Sequence, residues 1–182
     1  MERAFKNDSH FKTPSRIVDS YFDFLEISLK HRGVKLAGDL LYEQIRDLDI
    51  CALGGPGHGI ASVLCRAAFL KEIGVFYIRE SRKTVGDLQA PLWLESRIRE
   101  RDNVALAADV VLSGSLVIRA IEEVMQLGGT LVQIVIFIDS QDGDGVDRIR
   151  RFLVTNMMDV PVKVLFTREQ LLGMEDDHRS CS

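Results

Sequence analysis

Cysteine is scarce in this chain. Three occur in 182 residues, Cys51, Cys65 and Cys181, and they form no CxxC pair and no metal-ligand spacing. That count excludes a disulfide-stapled secreted scaffold and fits a reducing compartment, so a cytoplasmic location is expected. Cys51 and Cys65 fall in apolar segments and are expected to be buried thiols. Long uncharged apolar runs are missing too, and no stretch approaches membrane-spanning length. Residues 1–8 hold no apolar core of the signal-peptide kind. Nor does one sign of charge dominate. Twenty-three Lys and Arg face 27 Asp and Glu, a net charge of −4. With a pI near 5.6 this argues against a general nucleic-acid binder, while leaving room for a small anionic ligand. There is no internal repeat and no low-complexity segment. Asp139, Asp142, Asp144 and Asp147 lack the EF-hand order and its terminal glutamate, so they are assigned to a strand-end loop and to no metal. No Ser/His/Asp or Cys/His arrangement is legible from spacing.

What is present is enough apolar material for one core. Hydrophobic residues make up 46% of the 182, which suits a single domain over residues 1–174. Residues 1–32 are expected as an N-terminal arm, with an aromatic-rich strand-like piece over 19–26. The polar tail, 175–182, is expected to be disordered. Val34, Ala37, Leu41, Ile45 and Leu48 recur at helical spacing, predicting a helix over 33–48. Further helices are expected at 60–73, 116–128, 145–158 and 168–172, the last capped by Thr167. Strands are expected at 49–53, 75–79, 104–108, 130–139 and 161–166, with an extended return at 93–101. Strands alternating with helices predict a parallel α/β sheet with crossover connections.

Residues 103–116 are the most informative segment: Asn-Val-Ala-Leu-Ala-Ala-Asp-Val-Val-Leu-Ser-Gly-Ser-Leu. A short buried strand runs to an acid, Asp109. A small loop, Ser113-Gly114-Ser115, then opens a helix. Such a loop offers backbone N–H groups and a helix N-terminus to an anion. The preceding acid can accept hydrogen bonds from sugar hydroxyls, so the pair suits ribose 5-phosphate. An ordinary strand–helix turn with serine at the N-cap accounts for the same residues. Upstream, Gly54, Gly55, Gly57 and Gly59 fall within six residues after a strand, more than a plain turn needs. Glycine lets backbone approach a diphosphate closely. His58 in that loop is expected to be exposed and incidental.

The 103–116 segment resembles the phosphoribosyl-diphosphate (PRPP) binding motif of type I phosphoribosyltransferases. The order of the pieces resembles the orotate branch of that family from Phe11 to Leu172. It runs through Phe11-Lys12, Tyr21-Phe22-Asp23, the glycine loop, Phe76-Tyr77-Ile78-Arg79, the polar loop with Arg82, Lys83 and Gly86, and the closing segment from Val160 to Leu172. The resemblance implies a five-stranded, mostly parallel sheet flanked by helices, with a small N-terminal hood. It implies a pyrophosphate loop at Gly54, Gly55, Gly57 and Gly59. It implies a phosphate and ribose site at Asp109, Ser113, Gly114 and Ser115, and a mobile loop carrying Arg79, Arg82 and Lys83. Asp109 and Lys83 would be the catalytic positions, and Lys12 would lie near the base. Mg2+ is implied only where PRPP is bound. A homodimer is implied, the arm around Tyr21, Phe22 and Phe24 supplying part of its interface. The alternative for Arg82 and Lys83 is a solvated charge run.

The motif departs from the family pattern at chemistry-bearing positions. Ala108 stands where a first acid belongs, and Leu112 and Leu116 replace loop hydroxyls. Glu80 replaces a lysine and Val85 a histidine of the mobile loop. The favoured expectation is a protein that binds a phosphorylated ribose compound with weak or no orotate transferase activity. It would act as a sensor or as a subunit of a larger assembly. The rival is an active, divergent phosphoribosyltransferase using a pyrimidine or purine base. A third possibility is a structural interaction module without a ligand.

Overall fold

A computed structural model describes residues 5–6, 11–13, 16–18, 21–83, 92–95 and 98–179, with side chains placed over 22–78 and 98–173. The chain opens with short strands: β1 (Phe5–Lys6), β2 (Phe11–Thr13), β3 (Arg16–Val18) and β4 (Tyr21–Phe22). β1 pairs antiparallel with β4 and β2 with β3, outside the main sheet. The strand expected over 19–26 thus ends at Phe22, and α1 (Leu25–Ser28) follows. Asp23 Oδ1 accepts a bond from the Leu25 N–H at 3.1 Å, which turns the chain into that helix.

The remaining elements alternate. They are α2 (His31–Ile45), β5 (Ala52–Pro56), α3 (Ala61–Lys71), β6 (Gly74–Lys83), β7 (Leu92–Glu95), β8 (Asn103–Val111), α4 (Ser115–Gln126), β9 (Thr130–Asp139), α5 (Gly145–Thr155), β10 (Val162–Thr167) and α6 (Arg168–Arg179). The main sheet runs β10-β9-β8-β5-β6-β7. Its first five strands are parallel, and β7 adds an antiparallel edge. This is the expected five-stranded parallel sheet with one further strand.

Side-chain alternation along β8 divides the core. Val104, Leu106 and Ala108 join a buried cluster with Val117, Ile121, Val124 and Ile149 of α4 and α5. Ala105 and Ala107 join the opposite cluster with Leu41, Ile45, Val63 and Leu64 of α2 and α3. Both faces are covered, as a parallel sheet requires. The two helices on the second face cross closely, because a Cβ on Gly38 would lie 2.2 Å from Arg66 Cγ. Arg66 then reaches Asp39 Oδ1 at 2.9 Å through Nη2 and at 3.0 Å through Nε.

Several boundaries differ from those expected. β8 continues to Val111, so Asp109 lies inside the strand rather than at its end. β6 continues to Lys83, so Arg79, Arg82 and Lys83, expected on a polar mobile loop, lie on the strand by backbone position. α6 runs to Arg179, through the start of the tail expected to be disordered. Thr167 Oγ1 accepts from Gln170 N at 3.3 Å and Gln170 Oε1 accepts from Thr167 N at 2.9 Å, a reciprocal cap on α6. Cys51 and Cys65 are exposed, not buried. Cys51 precedes β5 at the sheet's amino end, and Cys65 lies on the partly open side of α3 beside Tyr77 Oη, 3.2 Å away. Among the described residues, no helix is long and apolar enough to cross a membrane.

Candidate ribose-phosphate site

Strand order reverses between β5 and β8. From β5 the chain moves through α3 to β6, and from β8 it moves through α4 to β9 on the other side. Because α3 and α4 cover opposite faces, the loops leaving the two strands diverge and open a crevice at their carboxyl ends. That switch point is where open α/β sheets bind ligands. A cleft of about 580 Å³ lies there. It is lined by Pro56–Gly59 from the first loop, Ala108–Val117 from the second, and Phe22–Leu25 from the arm.

The second loop supplies the anion-binding element. Gly114 is the N-cap of α4, with φ of +72°, and no side chain caps the helix. Only glycine takes that conformation without strain. Ser113 Oγ lies 2.8 Å from Ser115 Oγ and 3.5 Å from the Ser115 N–H, too long for a strong cap. The first turn of a helix of 12 residues therefore presents its N–H groups beside the cleft. A serine N-cap does not describe this turn.

Asp109 faces the other loop. Its Oδ1 accepts from the Val110 N–H at 2.8 Å, and its Oδ2 lies where a Cβ on Gly59 would sit, 2.1 Å from that position. Gly59 is thus the residue that lets the Asp109 carboxylate lie across the crevice. Gly57, with φ of +85°, turns the first loop out of β5. Gly54 and Gly55 behave differently from the expected pyrophosphate loop. They belong to β5 and pair with Phe76 and Tyr77 in the sheet ladder. A Cβ on Gly54 would strike the Phe76 ring at 2.3 Å, and one on Gly55 the Ala107 carbonyl oxygen at 2.0 Å. Packing within the sheet accounts for these two glycines, while Gly57 and Gly59 border the cleft.

Ala108 is buried, in the core cluster with Phe76 and Ile78, and also borders the cleft. Leu112 and Leu116 line it as well, and Leu116 is partly exposed. Among the described lining residues, His58 is the one cationic candidate. It is exposed, as expected, yet it sits on the cleft's rim. Arg79, Glu80, Arg82 and Lys83 lie on β6 by backbone position, and Lys12 lies on β2. Val85 and Gly86 fall outside the described residues. Among the described residues no three His, Cys, Asp or Glu side chains gather to hold a metal. The resemblance implies an interface role for the arm around Tyr21, Phe22 and Phe24; Phe22 and Phe24 border the cleft, which no local sequence pattern signals.

This sheet, with its two diverging loops and its arm, has the fold of the type I phosphoribosyltransferases. No protein-family model matches the chain. In sequence it is similar to orotate phosphoribosyltransferases. That of Methanocaldococcus jannaschii is 24% identical over 123 residues, 68% of either chain. That of Sorangium cellulosum is 25% identical over 184 aligned positions, 94% of this chain and 88% of the relative. Among solved structures, orotate phosphoribosyltransferase from Aeropyrum pernix superposes with a TM-score of 0.74 at 19% identity, over 96% of this chain and 93% of that one. Leishmania donovani UMP synthase gives a TM-score of 0.78 at 14% identity over 97% of this chain, which spans only 36% of that longer protein. Orotate phosphoribosyltransferase of Mycobacterium tuberculosis, solved in complex with PRPP, gives 0.63 at 19% identity over 82% of each.

Proposed function

We propose that the cleft between β5 and β8 binds a phosphorylated ribose compound, PRPP or a nucleotide, and moves the phosphoribosyl group of PRPP to orotate, with pyrophosphate leaving, weakly or not at all. One observation carries this reading: the uncapped start of α4 and the Asp109 carboxylate meet in one crevice. The phosphate would be held by N–H groups at Ser113, Gly114 and Ser115, and the ribose hydroxyls by Asp109. Gly57 and Gly59 would let a diphosphate approach the backbone. Backbone donors survive side-chain change, so this cradle persists although Leu112 and Leu116 offer no hydroxyl. Chemistry is another matter. Ala108 supplies no second acid to the ribose, and by the resemblance Glu80 replaces a lysine that would face the departing diphosphate and Val85 a histidine that could donate a proton.

Such a protein acts as a sensor of phosphorylated ribose or as a subunit of a larger assembly, and the resemblance favours a homodimer. Where PRPP is the ligand, Mg2+ would arrive on its phosphates, with Asp23 and Asp109 the carboxylates of the described lining. The exposed thiols of Cys51 and Cys65 suit the reducing cytoplasm. Calorimetry with ribose 5-phosphate, PRPP and nucleoside monophosphates tests binding. Saturable binding supports the reading, and its absence for all three leaves a structural module. The second reading, an active divergent transferase in which Asp109 and Lys83 serve catalysis, draws on the length of the alignments to orotate phosphoribosyltransferases. A turnover assay across orotate and purine bases separates the two.

A further inference from the structure

We infer that Arg148, on α5, is the positioning residue of the phosphate cradle: its guanidinium holds the Ser113 carbonyl and thereby turns the Gly114 N–H into the cleft. The inference rests on the reading of that cleft as an anion site. Arg148 Nη1 donates to Ser113 O at 2.9 Å. The 113–114 peptide is trans, since the described chain has no cis bonds. In a planar trans peptide the carbonyl and the following N–H point in opposite directions. Pulling the Ser113 oxygen toward α5 therefore aims the Gly114 N–H away from α5. Among the described residues that N–H donates no hydrogen bond within the protein.

The anchor is needed because of Gly114 itself. Glycine tolerates either sign of φ, so the peptide before it can flip at small cost. A flipped peptide would present the Ser113 oxygen to the phosphate in place of an N–H, replacing attraction by repulsion. Arg148 selects one orientation. Its own placement is otherwise unfavourable, because a cation in the first turn of a helix opposes the macrodipole. The neighbouring acids are engaged elsewhere, Asp147 with Arg150 at 3.3 Å and Asp144 with Arg151. Arg148 makes no ion pair among the described residues, and its charge rests on the loop.

The base of the side chain is fixed as well. The Arg148 N–H donates to Asp144 O at 2.7 Å, closing the first turn of α5. That turn abuts the loop directly. A Cβ on Gly145 would lie 2.3 Å from Leu112 O, and one on Gly114 would lie 2.5 Å from Gly145 O. These two backbone contacts hold the start of α5 against the loop, so the root of the exposed Arg148 side chain stands beside its carbonyl partner. The N-termini of α4 and α5 and one full positive charge thus converge behind a loop whose front faces the cleft.

The test combines calorimetry with ribose 5-phosphate and the amide resonances of the loop. In the wild-type protein, saturation with ribose 5-phosphate should shift the Gly114 amide together with those of Ser115 and Leu116. Arg148→Met keeps the length and removes the donor. It should weaken ribose 5-phosphate by about tenfold or more, the scale of one charge-assisted hydrogen bond. It should also move the Gly114 amide in the unliganded protein. Arg148→Lys should recover most of the affinity. A purely structural role would lower the melting temperature without separating Met from Lys in affinity. Equal affinity of wild type and Arg148→Met overturns the assignment, as does a wild-type Gly114 amide that stays fixed while its neighbours shift. Failure of the wild-type protein to bind ribose 5-phosphate overturns the reading of the cleft instead. Should Arg148→Met not fold, the wild-type amide shifts and the Arg148→Lys affinity still decide the point.

Discussion

Gly59→Ala places one methyl group in the crevice, and the structure fixes where it goes. Its Cβ would stand 2.1 Å from Asp109 Oδ2 and 3.3 Å from Asp109 Cγ. A carbon and an oxygen out of covalent reach sit about 3.3–3.6 Å apart, so the carboxylate must move by roughly 1.2–1.5 Å or rotate away. No positive φ is recorded for Gly59, so alanine suffers no left-handed strain there, and the cost falls on Asp109. A charge-assisted hydrogen bond is worth roughly 1.5–3 kcal/mol, which is about 10- to 150-fold in affinity. Titration calorimetry with ribose 5-phosphate should show that loss in Gly59→Ala and a similar one in Asp109→Ala. Because both substitutions act on the same carboxylate, their effects should not add. The double variant should bind about as weakly as Asp109→Ala alone. Additive losses, or wild-type affinity in Gly59→Ala, would refute the placement of Asp109 as the ribose ligand.

Gly114→Ala forces a left-handed alanine, at about 1–2 kcal/mol, and sets its Cβ 2.5 Å from Gly145 O. Together these should cost about 2–3 kcal/mol and lower the melting temperature by roughly 4–12 °C in a domain of this size, with loss of ribose 5-phosphate binding, read by thermal denaturation and calorimetry. Asp39 is held below the ordinary carboxylate range by the hydrogen bond from Lys35 and then by that from Arg66. Its contribution is present in full above the ordinary carboxylate pKa and is lost as pH falls through the lower folded value. The difference in melting temperature between wild type and Asp39→Asn should therefore shrink on acidification, and a difference that grows toward low pH would contradict the assignment.

The parallel sheet was legible because its strands announce themselves by composition. β9 spans Thr130–Asp139, as the run from Leu131 to Ile138, apolar but for Gln133, implied. α2 follows from Ala37, Leu41 and Ile45 at helical spacing, all of them buried. The structure departs from the local pattern where that pattern has two physical explanations. Gly54 and Gly55 look like loop glycines, but the Phe76 ring and the Ala107 carbonyl exclude a side chain there. Asp109 marks a strand end by polarity, yet β8 runs on to Val111 because Val110 and Val111 pair with Ile138 and Asp139 of β9. Cys51 and Cys65 lie in apolar neighbourhoods but on their open sides. Within the site, Ser113, Gly114, Ser115 and Asp109 could be found by motif. Arg148 could not, since it comes from the next crossover helix and meets Ser113 only through the fold. A cation in the first turn of α5 is disfavoured, but Arg32 and Arg168 also sit in first turns, so that position alone does not single out Arg148.

The central claim is that the cleft holds a phosphorylated ribose without transferring it efficiently to orotate. Phosphorus NMR of PRPP with Mg2+ and orotate, in the presence of the protein, reads both halves at once. The expected result is a PRPP spectrum shifted or broadened in a saturable way by the wild-type protein and much less by Gly114→Ala, with its intensity persisting after orotate is added. Unperturbed PRPP lines at concentrations up to about millimolar, where binding is worth about 4 kcal/mol, would contradict the binding claim. Conversion to pyrophosphate and orotidine monophosphate at an ordinary enzymic rate of about 1–10³ s⁻¹ would contradict the claim of lost transfer and establish the active transferase in its place.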